Sequence, residues 1–284
     1  MTLSLTVLDA GPLTTVQDLG RRGFAHLGVP RSGAVDMAAA QYANRLVGNP
    51  GDAAVLETTL GGVVLRASGT TAVAVTGAPA PVSVDGRPRP FAEPVTLRSG
   101  QTLTVGHATS GIRSYLAFSG GVDADPVLGS RSTDTLSGLG PPRLVAGAQV
   151  SLGDPVGSPH GVDVPVVLRY PDSVRVRVMP GPRLDWFAEE AMATLTRSTY
   201  TVSSHSNRVG LRLEGPHLPR AVTSELPSEG LVLGAVQVPA SGQPLVFLND
   251  HPTTGGYPVV AVVVPEQLGT CAQLRPGAQV RFES

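Results

Sequence analysis

Short apolar runs bounded by glycine, proline or aspartate recur along the whole chain. They are rich in valine, whose branched Cβ favours strands, and their spacing is typical of a barrel or sandwich. The runs lie at residues 63–65, 72–76, 82–84, 102–105, 114–118, 174–178, 230–238, 245–248 and 259–264. The pattern therefore predicts a mainly β fold.

Two segments have helical signals instead. The first follows Asp36, a good N-cap residue, and ends at Gly48-Asn49-Pro50, which stops a helix. The second begins near Asp185 and carries the run WFAEEAMATL. We therefore predict a few short helices among the strands.

A faint internal repeat suggests two similar lobes. The string GQTL at 100–103 is matched by GQPL at 242–245, and ATSG at 108–111 by PTTG at 252–255, about half a chain length apart. The Pro/Gly-rich stretch at 153–165 is typical of a boundary. We predict an N-terminal β-barrel lobe at 1–160 and a C-terminal one at 161–284.

Charge and composition narrow the possible partners. The formal net charge is −1 over 284 residues, so no basic field draws the chain to nucleic acid. No apolar run reaches the roughly 18 residues of a membrane span, and the N-terminus lacks the pattern of a signal peptide. We expect a cytoplasmic protein that binds a small molecule and neither nucleic acid nor membrane.

The sequence contains no lysine, so every fixed side-chain cation is an arginine. This excludes from the chain a lysine Schiff base, a phosphate-binding loop of the GxxxxGK[ST] type and a biotinyl-lysine. The six histidines show no HxH or HExxH spacing. We therefore expect no metal site.

A polar, glycine-punctuated segment at 15–36 carries more charge than a turn needs. Arg21 is a candidate anion clamp beside Arg22, with Asp18 fixing its rotamer, although a loop salt bridge is the commoner explanation of such residues. Ser32 lies before the first predicted helix, where backbone N–H groups attract anions. Ser32 could instead cap that helix.

A second polar segment, at 249–258, contains two hydroxyls, paired glycines and a phenol, the parts of a small-molecule cradle. These residues are Thr253, Thr254, Gly255, Gly256 and Tyr257. A tight hairpin turn is the alternative. Asp250 is a candidate acid/base group beside His251. Arg113 and Arg208 lie in further polar stretches between strands, as candidate substrate-binding residues or as turn residues.

Six ordered sequence blocks stand at 15–36, 43–57, 113–121, 128–133, 206–216 and 236–258. They include TVQDLGRRGFAHLGVPRSGAVD, RSYLAFSGG, LGSRST and VQVPASGQPLVFLNDHPTTGGYP. In these blocks the chain resembles the allophanate hydrolase subunit 2 family, also known as the biotin-dependent carboxyltransferase family, to which the C subunit of 5-oxoprolinase belongs. The resemblance extends over nearly the whole chain, as a single family domain.

The resemblance implies two cyclophilin-like β-barrel lobes and a subunit of an ATP-dependent 5-oxoprolinase, an amidohydrolase that opens 5-oxoproline to L-glutamate. It implies activity only in complex with a subunit-1-like protein (the 5-oxoprolinase B subunit) and a lactam-binding A subunit. ATP would be bound here, by the partner or at their interface. Asp18, Asp250 and Tyr257 would be the catalytic residues, and the other candidates would bind substrate.

The family also leaves two other functions open. One is a biotin-dependent carboxyltransferase acting on urea or a related amide. The other is a non-enzymatic partner that binds a subunit-1-like inhibitor of a histidine kinase.

The chain departs from the family pattern at Asn207, where relatives have aspartate, and at His251-Pro252, where they have arginine and glutamine. If these groups contact substrate, the substrate differs. We expect the segments at 15–36 and 249–258 to line a single site.

Overall fold

The computed structural model describes residues 3–161 and 165–284, and the chain divides into two compact units. The first unit comprises Met1–Arg21, Ser32–Asp134 and Gly138–Tyr170. The second comprises Arg22–Arg31, Thr135–Ser137 and Pro171–Ser284. Each unit is thus built from three separate stretches of the chain. The domain boundary at 160/161 stays a prediction.

Two antiparallel sheets build the first unit. The strands are β1 (Ser4–Ala10), β2 (Leu13–Gln17), β3 (Val55–Thr59), β4 (Val63–Ala67), β5 (Thr71–Gly77), β6 (Val82–Val84), β7 (Arg87–Arg89), β8 (Val95–Leu97), β9 (Thr102–Val105), β10 (Arg113–Phe118) and β11 (Gln149–Ser151). Their orders are β11-β1-β4-β9-β6-β7 and β2-β3-β10-β5-β8. Alternate residues of β1 and β4 point into a shared aliphatic core, as period-two patterning requires.

Helix α1 (Met37–Leu46) covers the second of these sheets. The side chain of Asp36 caps it by accepting a hydrogen bond from the Ala39 N–H at 3.1 Å. Its buried face presents small residues to β5 and β10, among them Ala40 and Ala43. The first predicted helix is confirmed.

A closed seven-stranded barrel forms the second unit, with the order β12-β19-β16-β17-β14-β13-β20. Its strands are β12 (Ser173–Pro180), β13 (Thr199–Val202), β14 (Gly210–Glu214), β16 (Ala235–Gln237), β17 (Leu245–Phe247), β19 (Val259–Val263) and β20 (Gln279–Glu283). A two-stranded ladder joins β15 (Glu229–Gly230) to β18 (Thr254–Gly255). The unit also contains helices α2 (Ala191–Arg197) and α3 (Leu268–Ala272).

The expectation of a mainly β protein with a few short helices is confirmed. The second predicted helix begins six residues later than expected, at Ala191, because Phe187 is extended and buried after a single 3-10 turn. The run at 230–238 is interrupted at Gly234, whose φ of 83° leaves the strand region. No helix in the described part of the chain is long and apolar enough to span a membrane.

Candidate functional site

Asp18, directly after β2, anchors a loop more than a hundred residues further along the chain. Its Oδ1 accepts hydrogen bonds from the hydroxyls of Ser130 at 2.6 Å and Ser132 at 2.5 Å. Its Oδ2 accepts one from the backbone N–H of Arg131 at 2.6 Å, and the Gly20 N–H adds a local bond at 2.7 Å. The Asp18 carboxylate is therefore stabilised by hydrogen bonds from hydroxyls and backbone N–H groups. It does not set the rotamer of Arg21 as the sequence suggested.

Arg21 contacts the same loop by donating hydrogen bonds to backbone carbonyl oxygens of that loop. Its side chain is 2% exposed, and it donates from Nη2 to Ser132 O at 2.5 Å and from Nε to Val127 O at 3.3 Å. A Cβ at Gly140 would lie 2.0 Å from Ser132 O, the carbonyl oxygen that accepts from Arg21, so glycine is needed there. This environment suits a structural anchor, and the function of Arg21 as an anion clamp stays a prediction.

Ser32 is fully buried and has a φ of 54°, which is strained for a residue with a side chain. Its hydroxyl donates to Thr133 O at 2.9 Å, so Ser32 is a further tie to the loop. It does not cap α1, because Asp36 fills that position. Its predicted contact with substrate remains untested.

Arg113 belongs to a buried cluster behind α1. Its Nε lies 3.7 Å from Glu57 Oε1, and Glu57 Oε2 accepts from the Tyr115 hydroxyl at 2.9 Å and the Val35 N–H at 3.0 Å. Burial first, and then the charges of Glu57 and Asp36, raise the pKa of Tyr115 well above its usual value. The cluster fixes the backbone entering α1, which gives Arg113 a structural environment.

In the second unit, Arg208 and Asp250 form a buried two-pronged ion pair. The Nε–Oδ2 distance is 2.9 Å and the Nη2–Oδ1 distance is 3.0 Å, with side chains 1% and 0% exposed. Thr135 adds two hydrogen bonds to Oδ2, from its hydroxyl at 2.6 Å and its N–H at 3.0 Å. Arg208 and Thr135 therefore donate four hydrogen bonds to this carboxylate.

Burial alone would raise the pKa of the Asp250 carboxyl group, but the charge and hydrogen bonds of Arg208 and the hydrogen bonds of Thr135 outweigh it and hold the pKa below its usual range. A group in this state remains an anion near neutral pH. It orients Arg208 and Thr135 more readily than it exchanges a proton. Its predicted acid/base function is not tested by this geometry.

Thr254 and Gly255 pair with Gly230 and Glu229 in the β15–β18 ladder. The flanking strands β17 and β19 lie on either side of β16 and do not pair with each other, so the tight hairpin that was the alternative interpretation of this segment is wrong. Thr253 is half-buried, whereas Thr254 and Tyr257 are exposed. Within the described ranges, none of these three hydroxyls has a hydrogen-bond partner in the protein. They are therefore available to a ligand.

Gly255 and Gly256 pack closely against their neighbours. A Cβ at Gly255 would lie 2.8 Å from Leu231 Cδ1, and one at Gly256 would lie 3.2 Å from Leu226 O. Both glycines therefore let this segment lie against its neighbours.

The second unit contains two arginines, Arg22 and Arg31, that the sequence did not connect with each other. Arg22 is exposed and Arg31 is half-buried; burial, and then the nearby charge of Arg22, lower the pKa of Arg31. Two neighbouring guanidinium groups favour an anion beside them. The signal in the sequence was the charge of the 15–36 segment, which we attributed to Asp18, Arg21 and Arg22.

The departures from the family pattern have local explanations. Asn207 Oδ1 accepts from the N–H groups of Val209 at 2.8 Å and Gly210 at 3.3 Å, a turn that an aspartate would form equally well. His251 lies 2.7 Å from Pro252 O through Nδ1 and packs against the ring of Phe247. The loss of charge at 207 therefore leaves the backbone of this turn intact.

The sequence missed Thr135, Ser130 and Ser132 as ligands of the two aspartates. The block LGSRST at 128–133 was the available signal for the serines. Across residues 3–161 and 165–284, no three His, Cys, Asp or Glu side chains group as metal ligands would, and the metal-free site stays a prediction. The common site expected of the two polar segments also stays a prediction.

Comparison with known proteins gives consistent matches. A family model of the carboxyltransferase domain, subdomain A and B, matches residues 27–284. The chain is 39% identical over 282 residues to the 5-oxoprolinase C subunit of Escherichia coli (strain K12), covering 98% of this chain and 90% of that protein.

Two solved structures are also similar. The crystal structure of TTHA0988 gives a TM-score of 0.90 at 37% identity, covering 100% of this chain and 56% of that one. The crystal structure of the K. lactis urea amidolyase gives 0.91 at 31% identity, covering 98% of this chain and 18% of that one. The chain therefore spans about half of the first of these proteins and a smaller part of the second.

Proposed function

The chain belongs to the carboxyltransferase-domain family that includes the 5-oxoprolinase C subunit, and we propose that it is the C subunit of an ATP-dependent 5-oxoprolinase complex. The complex would open 5-oxoproline to L-glutamate. It would be active only when a partner resembling the B subunit and a lactam-binding partner resembling the A subunit are present. The observation that carries the proposal is the 39% identity over nearly the full length of both chains.

Such a reaction depends more on stabilising the negative charge that develops on oxygen than on proton transfer. A lactam carbonyl is inert, and ATP supplies activation of its oxygen when bound. Negative charge then develops on oxygen, where preorganised donors give the largest stabilisation. In a chain without lysine, arginines and backbone N–H groups must fill this function.

We assign the anion-binding function to Arg22 and Arg31, which fit the phosphates of ATP because their charges lie close together. Both belong to the same compact unit as residues 253–257. Thr253, Thr254 and Tyr257 would contact substrate through hydroxyls that have no partner within the described ranges.

Five of the sequence candidates then act as positioning residues in this proposal. Asp18, Arg21 and Ser32 would fix the loop at 127–134, and Asp250 would orient Arg208. Arg113 would act further from substrate, through Glu57.

A second function is supported by the family model and by the similarity to a urea amidolyase. In it the chain is the carboxyltransferase component of a biotin-dependent enzyme acting on urea or a related amide. The biotin would be carried by another polypeptide, because this sequence has no lysine to attach it.

Reconstitution separates the two. The full chain is mixed with its two partner proteins, and glutamate and ADP are measured with 5-oxoproline as substrate. We expect both products, and we expect Arg22→Ala to lower turnover at least tenfold. Arg66→Ala, at an exposed arginine of β4, is the matched control and should leave turnover unchanged.

Biotin-dependent incorporation of bicarbonate in place of glutamate formation would favour the carboxyltransferase. A stable complex without either activity would make the chain a binding partner. Equal turnover for Arg22→Ala and the wild type would remove the arginine pair from the site.

A further inference from the structure

Gln237 ends strand β16 at an irregularity in the barrel. The pairing with β19 shifts register between Val236 and Gln237, so Gln237 lies opposite Val259 and Val260 is left out of the ladder. A bulge of this kind re-aims a side chain and is common beside active sites. Gln237 is 4% exposed, which is unusual for a glutamine without a function in its surroundings.

The orientation of the Gln237 amide is fixed by chemistry. Its Nε2 donates to Tyr257 O at 2.9 Å, and a carbonyl oxygen can only accept, so the amide cannot be flipped. Its Oε1 has no hydrogen-bond partner in the protein within residues 3–161 and 165–284. Oε1 is not among the fully buried oxygens that lack a partner, so it keeps contact with solvent, where water or a ligand can donate to it.

Gly255 shows that the chain makes room for this amide. A Cβ at Gly255 would lie 2.9 Å from Gln237 Nε2. The φ of Gly255 is not positive, so the backbone conformation does not call for glycine; a side chain there would have to displace the ends of Leu231 and Gln237. Gln237 therefore approaches the 253–257 segment at a glycine, where no side chain intervenes.

The groups beside Gln237 complement an amide. The hydroxyls of Thr253, Thr254 and Tyr257 can donate to a carbonyl oxygen, and the segment has no carboxylate or amide side chain that accepts an N–H. Gln237 Oε1 supplies this acceptor.

We propose that Gln237 Oε1 accepts the N–H of an amide or urea group in the substrate, which makes Gln237 a specificity-determining residue. The inference rests on the proposed function, since a lactam and urea both carry this N–H. A site built around such an acceptor rejects an analogue in which oxygen replaces N–H, because two acceptors then face each other.

The test compares 5-oxoproline with 5-oxotetrahydrofuran-2-carboxylate, its lactone analogue with a ring oxygen in place of N–H. In the reconstituted complex, the KM for 5-oxoproline and the inhibition constant of the lactone are measured for wild type and Gln237→Leu. Wild type should favour the lactam at least tenfold, and Gln237→Leu should reduce this preference to less than about threefold.

Gln243→Leu is the matched control, because both amide atoms of Gln243 are bonded to the backbone of Gly215, at 2.8 and 2.9 Å. It should keep the wild-type preference. An unchanged preference in Gln237→Leu overturns the proposal, since loss of the Tyr257 bond alone would affect lactam and lactone equally.

Failure of the proposed function is a separate outcome. If the complex carboxylates urea instead, the KM for urea should rise at least tenfold in Gln237→Leu and stay unchanged in Gln243→Leu. If it has neither activity, the ¹⁵N-labelled chain in the complex is titrated with 5-oxoproline and with urea. A shift of the Gln237 side-chain amide signal with either compound, and none with the lactone, supports the inference; no shift with both overturns it.

Discussion

Asp18 and Asp250 each bind a distant stretch of chain within their own unit, but different partners stabilise their carboxylates. Asp18 accepts only from hydroxyls and backbone N–H groups, among them those of Ser130 and Ser132. Asp250 accepts from the guanidinium of Arg208 and from Thr135. One carboxylate therefore lies among neutral dipoles and the other lies in an ion pair.

Burial explains the difference. Asp18 is half-buried, so water still stabilises part of its charge, and neutral donors complete its solvation. Asp250 is 0% exposed and would not remain charged without a cation. The dependence on a single partner should therefore be much greater for Asp250.

Arg208→Met should give the largest effect on stability. It leaves a buried carboxylate without its cation, and breaking a buried pair in this way costs about 3–5 kcal/mol. The free energy of unfolding from urea denaturation measures the loss.

The double variant Arg208→Met, Asp250→Leu removes both charges and should be more stable than Arg208→Met alone. If Arg208→Met were as stable as wild type, Arg208 would not be compensating the buried charge of Asp250. Asp250 would then depend on its cation no more than Asp18 depends on its neutral donors.

Asp18→Asn should have an intermediate effect. One amide nitrogen would then face donors, so at least one of the short bonds to Ser130, Ser132 or Arg131 N is lost, at about 1–3 kcal/mol. Hydrogen exchange of the backbone amides at 130–132 should accelerate along with the loss of unfolding free energy.

Asp85→Asn is the control for Asp18→Asn. Asp85 also accepts two hydrogen bonds, from Thr102 N and Gln101 Nε2, but it lies at an exposed turn. It should destabilise the protein less than Asp18→Asn. A larger loss at Asp85 would contradict the assignment of Asp18 as an anchor.

Local signals in the sequence were sufficient for α1 and several strands. The cap at Asp36 and the stop at Gly48-Asn49-Pro50 delimit a helix observed at Met37–Leu46, and strands β6 and β9 coincide with the predicted runs. They failed where packing decides the backbone, as at Gly234, which interrupts a continuous apolar run.

The sequence was sufficient to name individual residues of the candidate site, but not to predict which of them contact one another. Asp18 meets Ser132 across 114 positions, and Asp250 meets Thr135 across 115. Such partners are brought together by the tertiary fold, between loops distant in sequence, and no local pattern encodes them. Arg21 shows the consequence: its charge suggested a ligand, whereas its fold places it on two main-chain carbonyls.

Thr135→Val should give the smallest effect and a characteristic pH dependence. The Thr135 hydroxyl helps to hold the pKa of Asp250 down, so its loss moves that pKa back toward the usual value. A carboxyl group with a lowered native pKa stabilises the fold above its unfolded-state pKa of about 4, and this contribution disappears as the pH falls through the native value. At pH 7, Thr135→Val should thus lower the free energy of unfolding by about 1 kcal/mol. On acidification, the variant should lose the remaining stabilisation by the ionised Asp250 at a higher pH than wild type does. Thr135→Ser keeps the hydroxyl and should follow the wild-type curve of unfolding free energy against pH, whereas identical curves for the valine variant and wild type would mean that Arg208 alone sets the charge of Asp250.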